Sequence, residues 1–421
     1  MNAKRITVLL LYISVFLLLV KPRLNIPQSM IEIGPVNIYY FEFPLLCSYI
    51  LAFIIFLINR NIYGKSLYLV YGLFIAIAII GFISAFFYAT VSYVTVLKDF
   101  RPIVYWLAGI NLAIVGHKYF RLKTLTWVII TGLLVEFVFG FLLSKAFKSI
   151  AKPSEFRMLV ESAWLILFVV SVLLMKVTHR EELKRAGKYR ILPIAIAVGL
   201  LLTDIVLWKN RTTWFMLFIL VVIWLIFFAL FSRKAKYLMF IPIILILIWQ
   251  GLQYIPMTRQ AFRSLPVKIY TQRLSKERIV GAWKGVREVI YKSNVQDFKK
   301  HPVFGNGFGH EMYFDFTNYG RDKDRISTSS DNCYMTVLVK TGIAGLLLFL
   351  FAIYMIYKTM REALKNTEGS EDWIYLRAMV FAFPFFVITA LNIAIFYPFP
   401  EAVIFSLFFA KSELIYSEGR R

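Results

Sequence analysis

The chain is poor in the residues from which most reactive centres and small scaffolds are built. It has two cysteines, Cys47 and Cys333, and four histidines in 421 residues. Two thiols give neither a disulfide framework nor a thiolate metal site, and His117, His179, His301 and His310 show no metal-ligand spacing. No Ser-His-Asp order and no DxD-like acidic run is readable. Acidic residues are scarce: 24 Asp and Glu stand against 48 Lys and Arg, a net charge of +24. The run Gly305-Asn-Gly307-Phe-Gly309 lacks the Lys-Ser/Thr of a phosphate-binding P-loop, and no strand pattern precedes it. No internal repeat or low-complexity tract is visible, which counts against an inverted-repeat transporter.

What the chain has in excess is apolar sequence. Hydrophobic residues make up 59% of it, against about 45–50% in a soluble domain. Apolar runs of about 17–25 residues recur, the length that spans roughly 30 Å of hydrocarbon. Lipid leaves the backbone no partner but itself, and the runs lack barrel-strand alternation, so the spans are expected to be helices. The expectation is an all-α polytopic membrane protein with about twelve transmembrane helices. They fall near residues 6–20, 40–58, 67–89, 103–116, 124–143, 158–175, 191–207, 212–231, 238–250, 333–357, 374–391 and 393–410. Lys21-Pro22-Arg23 follows the first run where a signal sequence would have its small-residue cleavage site, so that run reads as a retained span.

The basic excess fits membrane topology better than nucleic acid, and no nucleic-acid partner is expected. With the N-terminus inside, the inner loops hold about 22 Lys and Arg and the short outer loops about 10. That bias puts both termini in the cytoplasm. It divides the chain into helices over 1–250, one large extracytoplasmic loop over 251–332, and C-terminal helices over 333–421.

The loop carries the candidate chemistry. From Arg273 to Lys300, Ile279, Trp283, Val286 and Ile290 fall on one helical stripe. Arg273, Arg278, Lys284, Arg287 and Lys292 supply charge elsewhere on that helix. It reads as an amphipathic helix on the membrane surface or as an anion site, since a guanidinium matches phosphate oxygens. Pro302 ends it, and the glycines that follow make a turn needing positive φ. Asp331-Asn332 opens the next apolar run. Both are good helix N-caps, and a capped carboxylate can still accept a proton. Arg211 stands at a span end, with Asp204 seven residues before it. Lys340, Arg377, Glu136 and Glu161 lie within apolar runs, where an ionisable residue is a functional candidate.

In this order the pieces resemble the O-antigen ligase and polymerase superfamily. Pro302-Val-Phe-Gly305-Asn-Gly307 matches its P-x-x-G-x-G. Asp331-Asn332-Cys-Tyr334-Met335, then Gly342-Ile-Ala-Gly345, match its His-Asn-x-Tyr-Leu and G-x-x-G. Arg211 and the pair Arg278 and Trp283 also resemble the family; recognisable likeness covers residues 211–350. The resemblance implies a glycosyltransferase of the bacterial inner membrane, metal-independent and without a cofactor, using glycan on undecaprenyl diphosphate. Arg211 and Arg278 would stabilise the leaving diphosphate and Asp331 would be the base. Arg273, Arg287, His310, Glu311, Asn332 and Tyr334 would bind substrate, with His310 and Glu311 as substitute bases. The acceptor is another lipid-linked glycan, with membrane lipid and a chain-length regulator protein as further partners. Ligases of the family carry His at the position of Asp331 and polymerases tolerate Asp, which favours an O-antigen or exopolysaccharide polymerase. A ligase acting on lipid A core, and a flippase without chemistry, are the alternatives.

Overall fold

The computed structural model describes residues 3–20, 30–33, 36–39, 47, 50, 54, 64–88, 93–116, 119–146, 165–179, 192–199, 216–217, 219–224, 288–314, 325–327, 332–367, 370, 372–390 and 399–418. They are mostly helical. The longer helices are α1 (Ala3–Val20), α2 (Lys65–Tyr88), α3 (Tyr93–Gly116), α4 (Leu122–Ala146), α5 (Leu165–Thr178), α6 (Glu288–Lys300), α7 (Cys333–Thr367), α8 (Trp373–Thr389) and α9 (Phe399–Glu418). Among the described residues, α2 and α7 are long and apolar enough to cross a membrane, and α5 and α8 are shorter apolar helices. After Lys65, α2 has no charged residue, so nothing along it has to be solvated. The expected span at 238–250 lies outside the described residues, as does nearly all of that at 40–58.

Two antiparallel hairpins depart from the all-helical expectation. β1 (Met30–Ile33) pairs with β2 (Val36–Tyr39), with Met30 opposite Tyr39. β3 (Met312–Phe314) pairs with β4 (Arg325–Ser327), with Tyr313 opposite Ile326. Both lie between the apolar runs, where short strands can satisfy each other's backbone groups without crossing lipid.

The chain divides into two compact units. One comprises Met1–Leu217, Asp297–Glu311 and Thr328–Arg421; the other comprises Phe218–Gln296 and Met312–Ser327. The glycine turn therefore groups with the helices. In the first unit α3 packs on α9, α7 on α2 and α9, α8 on α5, and α1 on α4. Lipid offers little drive to join apolar helices, so close van der Waals contact has to do it. Gly109 of α3 allows this approach, because a Cβ there would sit 2.7 Å from the Val403 carbonyl of α9. Beside it Trp106 stacks on Phe405 with centroids 6.2 Å apart, and Phe386 meets Phe405 at 4.9 Å. Asp372, just before α8, accepts from the backbone N–H of Leu122 (3.0 Å), so it caps the start of α4 and not its own helix. In the second unit the Ser293 hydroxyl of α6 donates to the Tyr313 carbonyl of β3 at 2.6 Å. Alternation along β3 buries Met312 and Phe314 and exposes Tyr313.

α3 begins at Tyr93, ten residues before the expected span at 103. The charged turn Lys98-Asp-Phe-Arg101 reads as loop in the sequence, yet it is helix, and Asp99 within it is buried.

Candidate functional site

The functional segment is organised by a break in α7. Gly342 has φ 66° and ψ −168°, inside an otherwise continuous helix of 35 residues. Such a break frees the carbonyls of Val339 and Lys340 and the N–H groups of Ile343 and Ala344, the two pairs that would bond in an intact ladder. In lipid each unsatisfied group costs several kcal/mol. The turn 302–307 supplies all four partners. The N–H of Asn306 donates to Val339 O (2.9 Å) and that of Gly307 to Lys340 O (2.8 Å). Ile343 N donates to Pro302 O (2.9 Å) and Ala344 N to Val303 O (3.1 Å). The P-x-x-G-x-G run and the G-x-x-G run are thus two halves of one backbone splice.

The glycines are needed because two backbones meet. Gly305, Gly307 and Gly309 have φ of 75°, 89° and 83°. A Cβ on Gly305 would lie 2.4 Å from the Lys340 carbonyl carbon, and one on Gly307 would lie 2.1 Å from Ala85 N. The turn is fixed to α2 as well. Phe308 N donates to Gly81 O (3.0 Å), the Ser84 hydroxyl donates to Phe304 O (2.8 Å), and His301 stacks on Tyr88 at 3.8 Å. The Asn306 side-chain amide donates to Asp297 O at 2.8 Å and Val339 O at 3.1 Å.

A buried ion pair closes the splice on its far side. Lys340 of α7, 1% exposed, pairs with Asp99 of α3, 3% exposed. The same carboxylate accepts from Gly309 N at 2.6 Å. One side chain therefore holds α3, α7 and the turn together, and it supplies the countercharge to a lysine buried at that depth. The question that Lys340 raised in the sequence is answered by a residue 241 positions earlier, to which no local pattern pointed.

On the turn's other flank His310 Nε2 lies 3.2 Å from Asp297 Oδ2, and Lys300 Nζ lies 2.7 Å from Asp297 Oδ1. Burial works to raise Asp297, but the neighbouring His310 and the Lys300 ammonium outweigh it and hold the carboxyl below the usual carboxylate range. Glu311, beside His310, is exposed.

Asn332 and Tyr334 have structural work. Asn332 stands immediately before α7 and its Oδ1 accepts from Met335 N at 3.1 Å, the geometry of a helix N-cap. The Tyr334 hydroxyl donates to Val387 O of α8 at 2.8 Å, and Cys333 N donates to Ala390 O at 3.1 Å. These bonds pin the start of α7 against the end of α8. Arg377, another in-span candidate, lies over the Trp373 ring at 4.9 Å. Arg211, Arg273, Arg278, Arg287 and Asp331 lie outside the described residues. The structure therefore brings together His310, Asp297, Asp99 and Lys340, of which the sequence singled out only the histidine and the lysine.

Residues 194–350 match the family model for O-Antigen ligase. That match supports the O-antigen ligase/polymerase superfamily for this segment. The segment holds the turn, the break in α7, and the arginines, His310, Glu311, Asp331, Asn332 and Tyr334 of the expected site, whereas Asp99 of α3, which completes the splice, stands outside the matched residues. The match supports O-antigen ligase/polymerase-type function in general, a glycosyltransferase-like activity of a membrane protein in polysaccharide biosynthesis. No curated protein matches the chain at a significant level.

Proposed function

We propose that this protein is a polymerase of glycan repeats carried on undecaprenyl diphosphate, acting at the outer face of the bacterial cytoplasmic membrane with both termini inside. The family match over 194–350 supports glycan transfer in general, and Asp331 in the place of the ligases' His turns the reading toward a polymerase. The acceptor is a sugar hydroxyl of another lipid-linked repeat, and a chain-length regulator is a fitting partner. The reaction breaks the bond from the anomeric carbon to the diphosphate and forms one to the acceptor oxygen. Arg211 and Arg278 stabilise the charge developing on the leaving diphosphate, with Arg273 and Arg287 beside them, and no metal ion takes part. Asp331 takes the acceptor proton late, as the leaving bond breaks, because a carboxylate of ordinary pKa is a weak base for an alcohol. The cap on α7 supports this assignment. Asn332 already fills the capping position, so the helix start does not need the Asp331 carboxylate.

The family description itself favours a second reading, a ligase that moves the glycan to a lipid A core or other acceptor. One assay separates them. Purified protein is given lipid-linked glycan alone, with a chelator and no nucleotide sugar. Lengthening of the glycan supports the polymerase; transfer only after a core acceptor is added supports the ligase; neither product refutes both. Arg278→Ala should cost on the order of 2–4 kcal/mol in the transition state, by analogy with losing one oxyanion donor.

A further inference from the structure

The turn 302–309 lies inside what the sequence reads as one long water-filled loop, yet its surroundings are those of a membrane-embedded element. Its position along two helices sets its depth. It bonds α2 at Gly81, about seven residues before the end of that helix at Tyr88, and α7 at Lys340, about seven residues after the start at Cys333. At 1.5 Å per residue the turn reaches roughly 10 Å below both ends. Both are the helices long and apolar enough to cross a membrane.

Side chains agree with that depth. Along α2 the exposed residues Ile75, Ile79, Ile83 and Phe86 follow helical spacing, and along α7 Ile343, Leu347, Leu350 and Tyr354 do the same. These two apolar stripes are the faces that lipid would cover. The turn itself lies against the Gly81, Ser84 and Ala85 face of α2, at the level of Ile83 and Phe86. Val303 and Phe304 are each 55% exposed; Phe304 is fixed to α2 by the Ser84 hydroxyl, and Val303 is bonded through its carbonyl to Ala344 of α7. In water three consecutive exposed residues Pro302-Val-Phe304 would be unfavourable. Non-helical backbone at membrane depth is tolerated only where protein satisfies it, and the splice with α7 does that.

We propose that the 302–309 turn is a re-entrant element whose Val303–Phe304 edge contacts the bilayer at the acyl boundary. The proposal holds whichever glycan transfer the protein performs.

The test is a nitroxide at Val303→Cys or Phe304→Cys, with Cys47 and Cys333 changed to Ala, in phosphatidylethanolamine–phosphatidylglycerol vesicles. Power saturation should show greater relaxation by oxygen than by a water-soluble nickel chelate at both positions. Lys299→Cys near the end of α6, exposed and on the face opposite Ile290, is the aqueous comparison and should show the reverse. A nickel response at 303 and 304 equal to that at 299 overturns the proposal. A second measurement keeps both cysteines: Phe304→Trp in brominated lipid should add fluorescence quenching beyond that of the wild type. No added quenching overturns it too. Neither readout depends on transfer activity, so failure here leaves the polymerase reading standing.

Discussion

Gly307→Ala is the sharpest probe of the splice. The new Cβ would sit 2.1 Å from Ala85 N and 2.3 Å from Ala85 Cα, both backbone atoms of α2, and φ at 307 is 89°. Holding an alanine in that conformation costs about 1–3 kcal/mol before any contact is counted. The contact cannot be relieved by a rotamer change, so the turn has to lift. Lifting loses the four bonds to α7, worth about 0.5–1.5 kcal/mol each, or about 2–6 kcal/mol together. The expected loss is thus on the order of 3–9 kcal/mol, a large share of the roughly 5–15 kcal/mol of a typical domain. Gly72 is the paired control, since a Cβ there meets nothing within 4 Å and its φ is ordinary. Gly72→Ala should be neutral or stabilising by up to about 1 kcal/mol, as alanine is the better helix former. The assay is the melting temperature of detergent-solubilised protein followed by size-exclusion fluorescence. Equal melting of Gly307→Ala and wild type would mean that the turn does not bear on α2, and the splice would have to be abandoned.

Asp331→Asn should melt like the wild type, because Asn332 caps α7, while transfer falls roughly 10²–10⁴-fold; normal glycan ladders at matched expression would remove Asp331 from the chemistry. Lys340→Met leaves the buried Asp99 carboxylate without its cation and should cost about 3–5 kcal/mol. Adding Asp99→Asn, which still accepts from Gly309 N–H, should recover most of that, and a double variant no better than Lys340→Met alone would deny the pairing. Asp297 has a folded pKa below its unfolded one, so its stabilisation is complete above about pH 4 and is lost as pH falls through the folded value. Asp297→Asn should flatten that acid slope in melting curves taken below about pH 4; an unchanged slope would place the acid sensitivity elsewhere.

The sequence was legible where physics is local. Runs such as that of α2 announce themselves by length alone, and Pro302 followed by spaced glycines reads as a turn with positive φ, which it is. The destination of that turn was not legible. Its partners Val339 and Lys340 lie some 33 residues on, and backbone bonds leave no trace in side-chain identity. The start of α3 was missed for a related reason. Counting Lys98 and Arg101 as loop charges assumes that charge marks water, but Asp99 among them is buried against Lys340. The Asp297–His310 pair fell between a helix and a turn read separately. For Arg211, Arg278 and Asp331 the sequence remains the source of the argument.

The break in α7 also bears on how the chain assembles. Without the turn, α7 could run straight through Gly342 and bond Ile343 to Val339 and Ala344 to Lys340 within itself. That form is self-sufficient in lipid, so the helix can enter the bilayer before its neighbours are in place. Arrival of the turn then exchanges two internal bonds for four external ones. The turn precedes α7 in synthesis, and α2 and α3 precede both. The platform on which α7 bends is therefore made before α7 itself, so the bend can form as soon as α7 reaches the turn and Lys340 meets Asp99.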